Sequence, residues 1–164
     1  MRLVFDVETD DVKASKLWCI VAQDVDTKEI FKFPPDKLSE ACKLLSQADT
    51  LIGHNIIGFD IPVVNKSFGK DLFKDCKITD TLVLSRLLNP VIDGGHSLKN
   101  WGTKLGHNKI EFEQFDFLSD DMLKYCRNDV ELTERLYKFL ILKVKDFGES
   151  IDLEHKVSTI IGST

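Results

Sequence analysis

Three pairs of residues in this sequence are spaced to do chemistry together. Asp6 and Glu8 stand two apart in Leu3-Val4-Phe5-Asp6-Val7-Glu8. In a strand that spacing sends both carboxylates off one face, with Val4, while Leu3, Phe5 and Val7 face the other way. Two carboxylates side by side at a buried strand end repel each other and lose solvation, and a bound divalent cation offsets both costs. Asn55 and Asp60 lie just after another short apolar run, in Gly53-His54-Asn55-Ile56-Ile57-Gly58-Phe59-Asp60. The glycines allow close backbone approach by a ligand, and Asp60 falls in the first turn of a following helix, where the dipole favours negative charge. Tyr125 and Asp129 are four apart in a helical pattern, so they share a face, and the neighbouring Cys126 and Val130 place that face at or near the core. Hard cations want oxygen ligands, and four carboxylates supply them without recourse to Cys or His.

Taken singly, each pair has a plainer reading: a solvated strand end, a helix-start acid, a core tyrosine beside a half-exposed aspartate. The elements that would have to bring them together are legible. Residues 2–7, Leu17 to Val25 and Ile30 to Phe33 are β-rich runs separated by short polar turns, which predicts an antiparallel meander. Pro34-Pro35-Asp36 ends it and opens a helix to about Ser46. Thr50 to Gly53 reads as a buried strand, Gly58 as the start of a helix to about Ser67, and Lys77 to Thr79 as a further strand. Asp80 suits the N-cap of a helix to Leu88, and Ser97 that of a short helix with Leu98, Trp101 and Leu105 inward. From Ser119 the pattern is strongly helical up to a break at Phe147-Gly148, with a last short helical segment from about Ile151. Strands first, then strands alternating with helices, predict an α/β domain around one mixed five-stranded sheet flanked by helices.

Bulk composition narrows the partners. No stretch approaches the roughly 20 apolar residues of a membrane span, and Asp6 cuts the N-terminal apolar run, so a cytoplasmic protein is expected. Cys19, Cys42, Cys76 and Cys126 form no Cys-X-X-Cys pair and read as reduced thiols, mostly small core residues. A formal net charge of −5 argues against tight general binding to duplex DNA, which depends on Lys and Arg neutralising phosphates. Any nucleic-acid affinity must come from metal ions and short local contacts.

Together and in this order, the pairs resemble the DEDD exonuclease superfamily, of ribonuclease H-like fold. Its first motif, Asp-X-Glu at the first strand, is matched by Asp6-Val7-Glu8, with Thr9 following. Its second, Asn-X-X-X-(Tyr/Phe)-Asp, is matched from Asn55 to Phe59-Asp60, and its third, Tyr-X-X-X-Asp, by Tyr125 to Asp129. The histidine branch would need His at residue 124; Lys124 stands there, which points to the tyrosine branch. The segments from Asp80 to Leu88 and from His96 to Gly102 look like the proofreading domains of family A DNA polymerases, bacteriophage members especially. Leu153-Glu154-His155 is similar to the start of the linker into the polymerase domain. The expectation is therefore an excised or split-off exonuclease domain over residues 1–148, with a helical linker-like segment over 149–164.

The resemblance implies two-metal hydrolysis of phosphodiester bonds at the 3′ end of single-stranded DNA, releasing nucleoside 5′-monophosphates. Two Mg2+ or Mn2+ ions about 3.5–4 Å apart would clamp the scissile phosphate. By resemblance Asp6 bridges both, Glu8 and Asp129 hold the nucleophile-side ion, Asp60 supports the second through water, and Tyr125 orients the attacking water. Asn55 and the backbone around Thr9 would meet the terminal nucleotides. Phe59 reads first as core packing and second as a base-stacking platform; Lys99 and Lys104 read first as solvated helix lysines, and His96 as a loop or cap residue. The implied partner is a DNA polymerase domain, in cis or in trans. Two rivals remain: an RNA-processing exonuclease of the same fold, and a non-catalytic module, which the intact set of acids argues against.

Overall fold

The computed structural model describes residues 1–146 apart from Val12 and Ser15. The segment from residue 149 onward, read above as linker-like, lies outside the described residues, as does the break at Phe147-Gly148.

The meander forms as the sequence predicts. Strand β1 (Arg2–Thr9) pairs antiparallel with β2 (Leu17–Asp24), and β2 with β3 (Ile30–Phe33). Strands β4 (Thr50–Gly53) and β5 (Lys77–Asp80) then add in parallel on the other side of β1, giving the order β3-β2-β1-β4-β5. The first strand is thus central, and its C-terminal end points into the crevice where the chain leaves β4. Crevices at the carboxyl ends of strands are where open α/β sheets bind ligands.

Period-two alternation in β1 decides what each face of the sheet does. Leu3, Phe5 and Val7 join Leu51, Ile20 and Ala22 in an apolar core covered by helices α1 (Leu38–Ser46) and α2 (Ile61–Phe68). Val4 faces the other way, with Val21 and Ile52, under helix α5 (Asp120–Asp146). That helix has 27 residues, about 40 Å at 1.5 Å per residue, and is amphipathic twice over. Met122, Cys126, Val130 and Tyr137 meet the sheet, whereas Leu136 and Leu140 meet Leu84 of α3 (Thr81–Leu88) and Trp101 of α4 (Leu98–Leu105).

The start of α2 differs from the sequence reading. The helix expected from Gly58 begins as regular α-helix only at Ile61; residues Ile56–Asp60 form a wide π-helical turn. Pro62 accounts for the start, because a residue without an N–H is tolerated only in the first turn of a helix. Such wide turns re-aim the side chains they carry, and this one carries Asp60.

Candidate active site

The two acids of β1 share the α5 face, as their spacing predicts, and lie inside the sheet instead of beyond its end. Asp6 is opposite Val21 and Glu8 opposite Cys19 on β2, with a register irregularity between Glu8 and Thr9. Glu8 is buried, and Asp6 is half-buried beneath its neighbours. Asp60 reaches them from the crevice: its Oδ2 accepts the Val7 N–H at 3.1 Å, so a backbone donor of β1 holds the carboxylate against the strand that carries the other two. Asp129 comes from α5, one turn after Tyr125, and is buried. The charge of Asp6 acts on Glu8, on Asp60 and on Asp129 alike. The four acids read from the sequence therefore converge.

Convergence has an electrostatic cost. Burial pushes Glu8 up to about 11, with Asp6 beside it adding repulsion. Burial and then Asp6 push Asp60 well above the usual carboxylate range and Asp129 up to about 7, against the pull of Lys109. Desolvation also raises Asp6, opposed first by Glu8 and then by the charge of Lys109. Without a cation, the group is built to hold protons. The donor set is carboxylate oxygen, joined by the Cys126 thiol, whose Sγ is 3.4 Å from Asp6 Oδ2; Asp6, Glu8 and Cys126 each place a ligand atom within 4.8 Å of the others. Asp129 Oδ1 is buried with no hydrogen-bond partner, an acceptor that a cation would satisfy. These residues fit a divalent metal.

The turn that delivers Asp60 is clamped by a residue the sequence offered only as a helix cap. Asp80, almost wholly buried, caps α3 through Leu82 N at 2.9 Å but also accepts the N–H of Asn55 at 2.8 Å and of Ile57 at 3.0 Å. Asn55 adopts a left-handed conformation, φ 62°, and is exposed at the crevice. Gly53 is required beside it: a Cβ there would lie 2.1 Å from Ile56 Cγ2 and 3.1 Å from the Phe5 carbonyl.

Other expected residues are placed as follows. Thr9 is buried at the end of β1, its hydroxyl donating to the Asp11 carbonyl at 2.8 Å. Phe59 packs against the α1–α2 core, on the side away from the acids. Lys99 and Lys104 are exposed on α4. His96 Nδ1 lies 2.6 Å from Ser85 Oγ, which accepts the Trp101 indole N–H at 2.8 Å, so His96 pins its loop to α3 and α4.

Lys109 is the residue that sequence reading missed. Its Nζ donates to the Tyr125 hydroxyl at 2.6 Å, pairs with Asp129 Oδ2 at 3.2 Å and sits 4.6 Å from the Tyr125 ring centroid. Desolvation, the largest influence, would lower its ammonium, but Asp129 and Tyr125 together outweigh it and hold it above its ordinary value. Nothing in the irregular sequence around it predicts where its loop lands.

No family model matches the sequence. The chain is 31% identical over 100 residues to DNA polymerase III PolC-type of Mycoplasma genitalium, a stretch that is 60% of this chain but only 6% of that protein. Among solved structures, Brucella melitensis NrnC with bound Mg2+ superposes with a TM-score of 0.72 at 20% identity, over 99% of this chain and 82% of that one. The same protein bound to pGG gives a TM-score of 0.75 at 19% identity, over 99% and 81%. At that identity the likeness is one of fold, and with the strand order β3-β2-β1-β4-β5 it makes this chain a ribonuclease H-like α/β domain.

Proposed function

We propose that the chain is a metal-dependent 3′–5′ exonuclease that hydrolyses phosphodiester bonds at the 3′ end of single-stranded DNA and releases nucleoside 5′-monophosphates. The observation that carries this reading is the convergence of Asp6, Glu8, Asp60 and Asp129 from three separate parts of the chain, with Asp129 Oδ1 left as an unmet buried acceptor. Asp6, Glu8 and Asp129 hold Mg2+ or Mn2+, and Asp60, fixed by the Val7 N–H, supports a second ion. The ions, when bound, acidify water and neutralise charge on the phosphate. Tyr125 orients the attacking water with its hydroxyl. Asn55, just past the carboxyl end of β4, and the backbone at Thr9, at the carboxyl end of β1, hold the terminal nucleotide. The partial likeness to a PolC-type DNA polymerase favours DNA and a polymerase partner. Site and metals, not a basic surface, would then supply the affinity of an acidic domain.

A second reading has its own support: the structural neighbour bound to pGG favours a short oligonucleotide substrate, RNA included. One experiment separates them. Matched DNA and RNA strands, labelled at either end, are incubated with Mg2+ or Mn2+ and the wild type or an Asp6→Ala/Glu8→Ala variant. Early loss of the 3′ label from DNA, absent in the variant, is expected. Preference for RNA would move the protein to the second reading, and intact strands throughout would leave a binding module.

A further inference from the structure

Lys109 belongs to the stretch between α4 and α5, residues 106–119, which wraps over the start of α5 as a strap. Three kinds of contact hold it down. Trp18 donates its indole N–H to the Phe115 carbonyl at 2.8 Å, tying the strap to β2. Phe112 stacks on Tyr125 at 5.5 Å between centroids, and Phe115 meets the same ring edge-on at 6.1 Å. Asn128 donates its side-chain N–H to the Asn108 carbonyl at 3.3 Å, and His107 Nε2 is 3.1 Å from Asn128 Oδ1. The strap thus surrounds Tyr125 and feeds one ammonium into the acidic site. Among the described residues, Lys109 is the one cation paired with any of the four converging carboxylates, and its side chain is 23% exposed.

We propose that Lys109 is a built-in competitor for the metal on Asp129. In the metal-free protein its ammonium pairs with Asp129 and occupies the Tyr125 hydroxyl. A divalent ion that takes Asp129 displaces it, because like charges within a few ångströms on one carboxylate repel. Displacement removes one tether of the strap and frees the Tyr125 hydroxyl together, so metal loading and readiness of the tyrosine are coupled through one side chain. The inference rests on the reading of Asp129 as a metal ligand.

The test follows Mn2+ binding by calorimetry, and amide exchange of residues 106–119 with and without Mn2+, on the full chain. Lys109→Met keeps the length and removes the charge, and should bind Mn2+ about tenfold more tightly. Lys109→Arg, which keeps the charge, should stay near wild type. In the wild type, Mn2+ should speed exchange in 106–119 while leaving the middle of α5 protected. Equal or weaker Mn2+ binding by Lys109→Met overturns the proposal. So does unchanged or slower strap exchange in the wild type, which needs no variant to fold. Absence of Mn2+ binding from all the proteins would overturn the metal reading itself, whereas binding that ignores Lys109 would overturn the competition alone.

Discussion

Leu3, Phe5 and Val7 leave one face of β1 and meet α1 and α2 in an apolar contact. Val4, Asp6 and Glu8 leave the other face, one residue out of step, and meet α5 across a group of carboxylates. The same strand is therefore a stabilising element on one side and a destabilising one on the other. Each fully buried large side chain of the first face contributes about 1.5–3 kcal/mol. Each acid of the second loses solvation and gains a like-charged neighbour. The contrast teaches that stability and chemistry can be separated across the thickness of one strand, because period two keeps the two sets apart.

That separation can be broken from either side. The largest effect should come from Asp6→Asn with Glu8→Gln: cleavage should fall about a thousandfold or more, while the metal-free protein melts at the same or a higher temperature. Melting well below wild type would show that the acids also hold the sheet together. Phe5→Ala is the mirror experiment. It should cost about 3–5 kcal/mol in denaturant unfolding, yet the protein that remains folded should bind Mn2+ as wild type does.

The acids also set a pH signature for the metal-free protein. Asp129 rises from 3.8 to about 7 on folding, so the native state holds the proton more tightly than the unfolded chain. Its contribution is fully present below about pH 4 and is lost as pH climbs to about 7, worth a few kcal/mol at the most. Glu8, raised to about 11, extends the loss to more alkaline pH. Wild-type stability should therefore fall relative to Asp129→Asn between pH 4 and 7, read by thermal melts in chelator; parallel curves would contradict the shift. The smallest of these effects is expected at Tyr125→Phe, which keeps the ring that Phe112 and Phe115 pack on. Cleavage should drop about ten- to a hundredfold, with stability within about 1 kcal/mol of wild type.

What the sequence revealed divides along the same physical line. Alternation in β1 and the four-residue step from Tyr125 to Asp129 are backbone periodicities, so they showed which side chains share a face before any tertiary structure was known. The meander, α3 with its Asp80 cap and α4 with its Ser97 cap were legible for the same reason. The π-helical turn was not, since Gly58 suggested a helix start that Pro62 in fact sets three residues later. Nor was the second use of Asp80, whose hold on Asn55 and Ile57 depends on β5 lying beside β4. Lys109 and the Cys126 thiol were invisible as site residues because an irregular strap and a small buried thiol carry no periodic mark.

The docking of α5 has a consequence for the order in which the molecule comes into being. The contact between Cys126 and Asp6 joins residues 120 positions apart, among the most distant closures in the domain. A growing chain emerges N-terminus first at about 5–20 residues per second, so the meander and the parallel strands can assemble while their acidic face still lies open to water. Closing so long a loop is entropically slow until the helix is available to reward it. For those seconds Asp6 and Glu8 are ordinary solvated carboxylates. On the metal reading proposed above, the nascent domain would acquire its site only when α5 arrives.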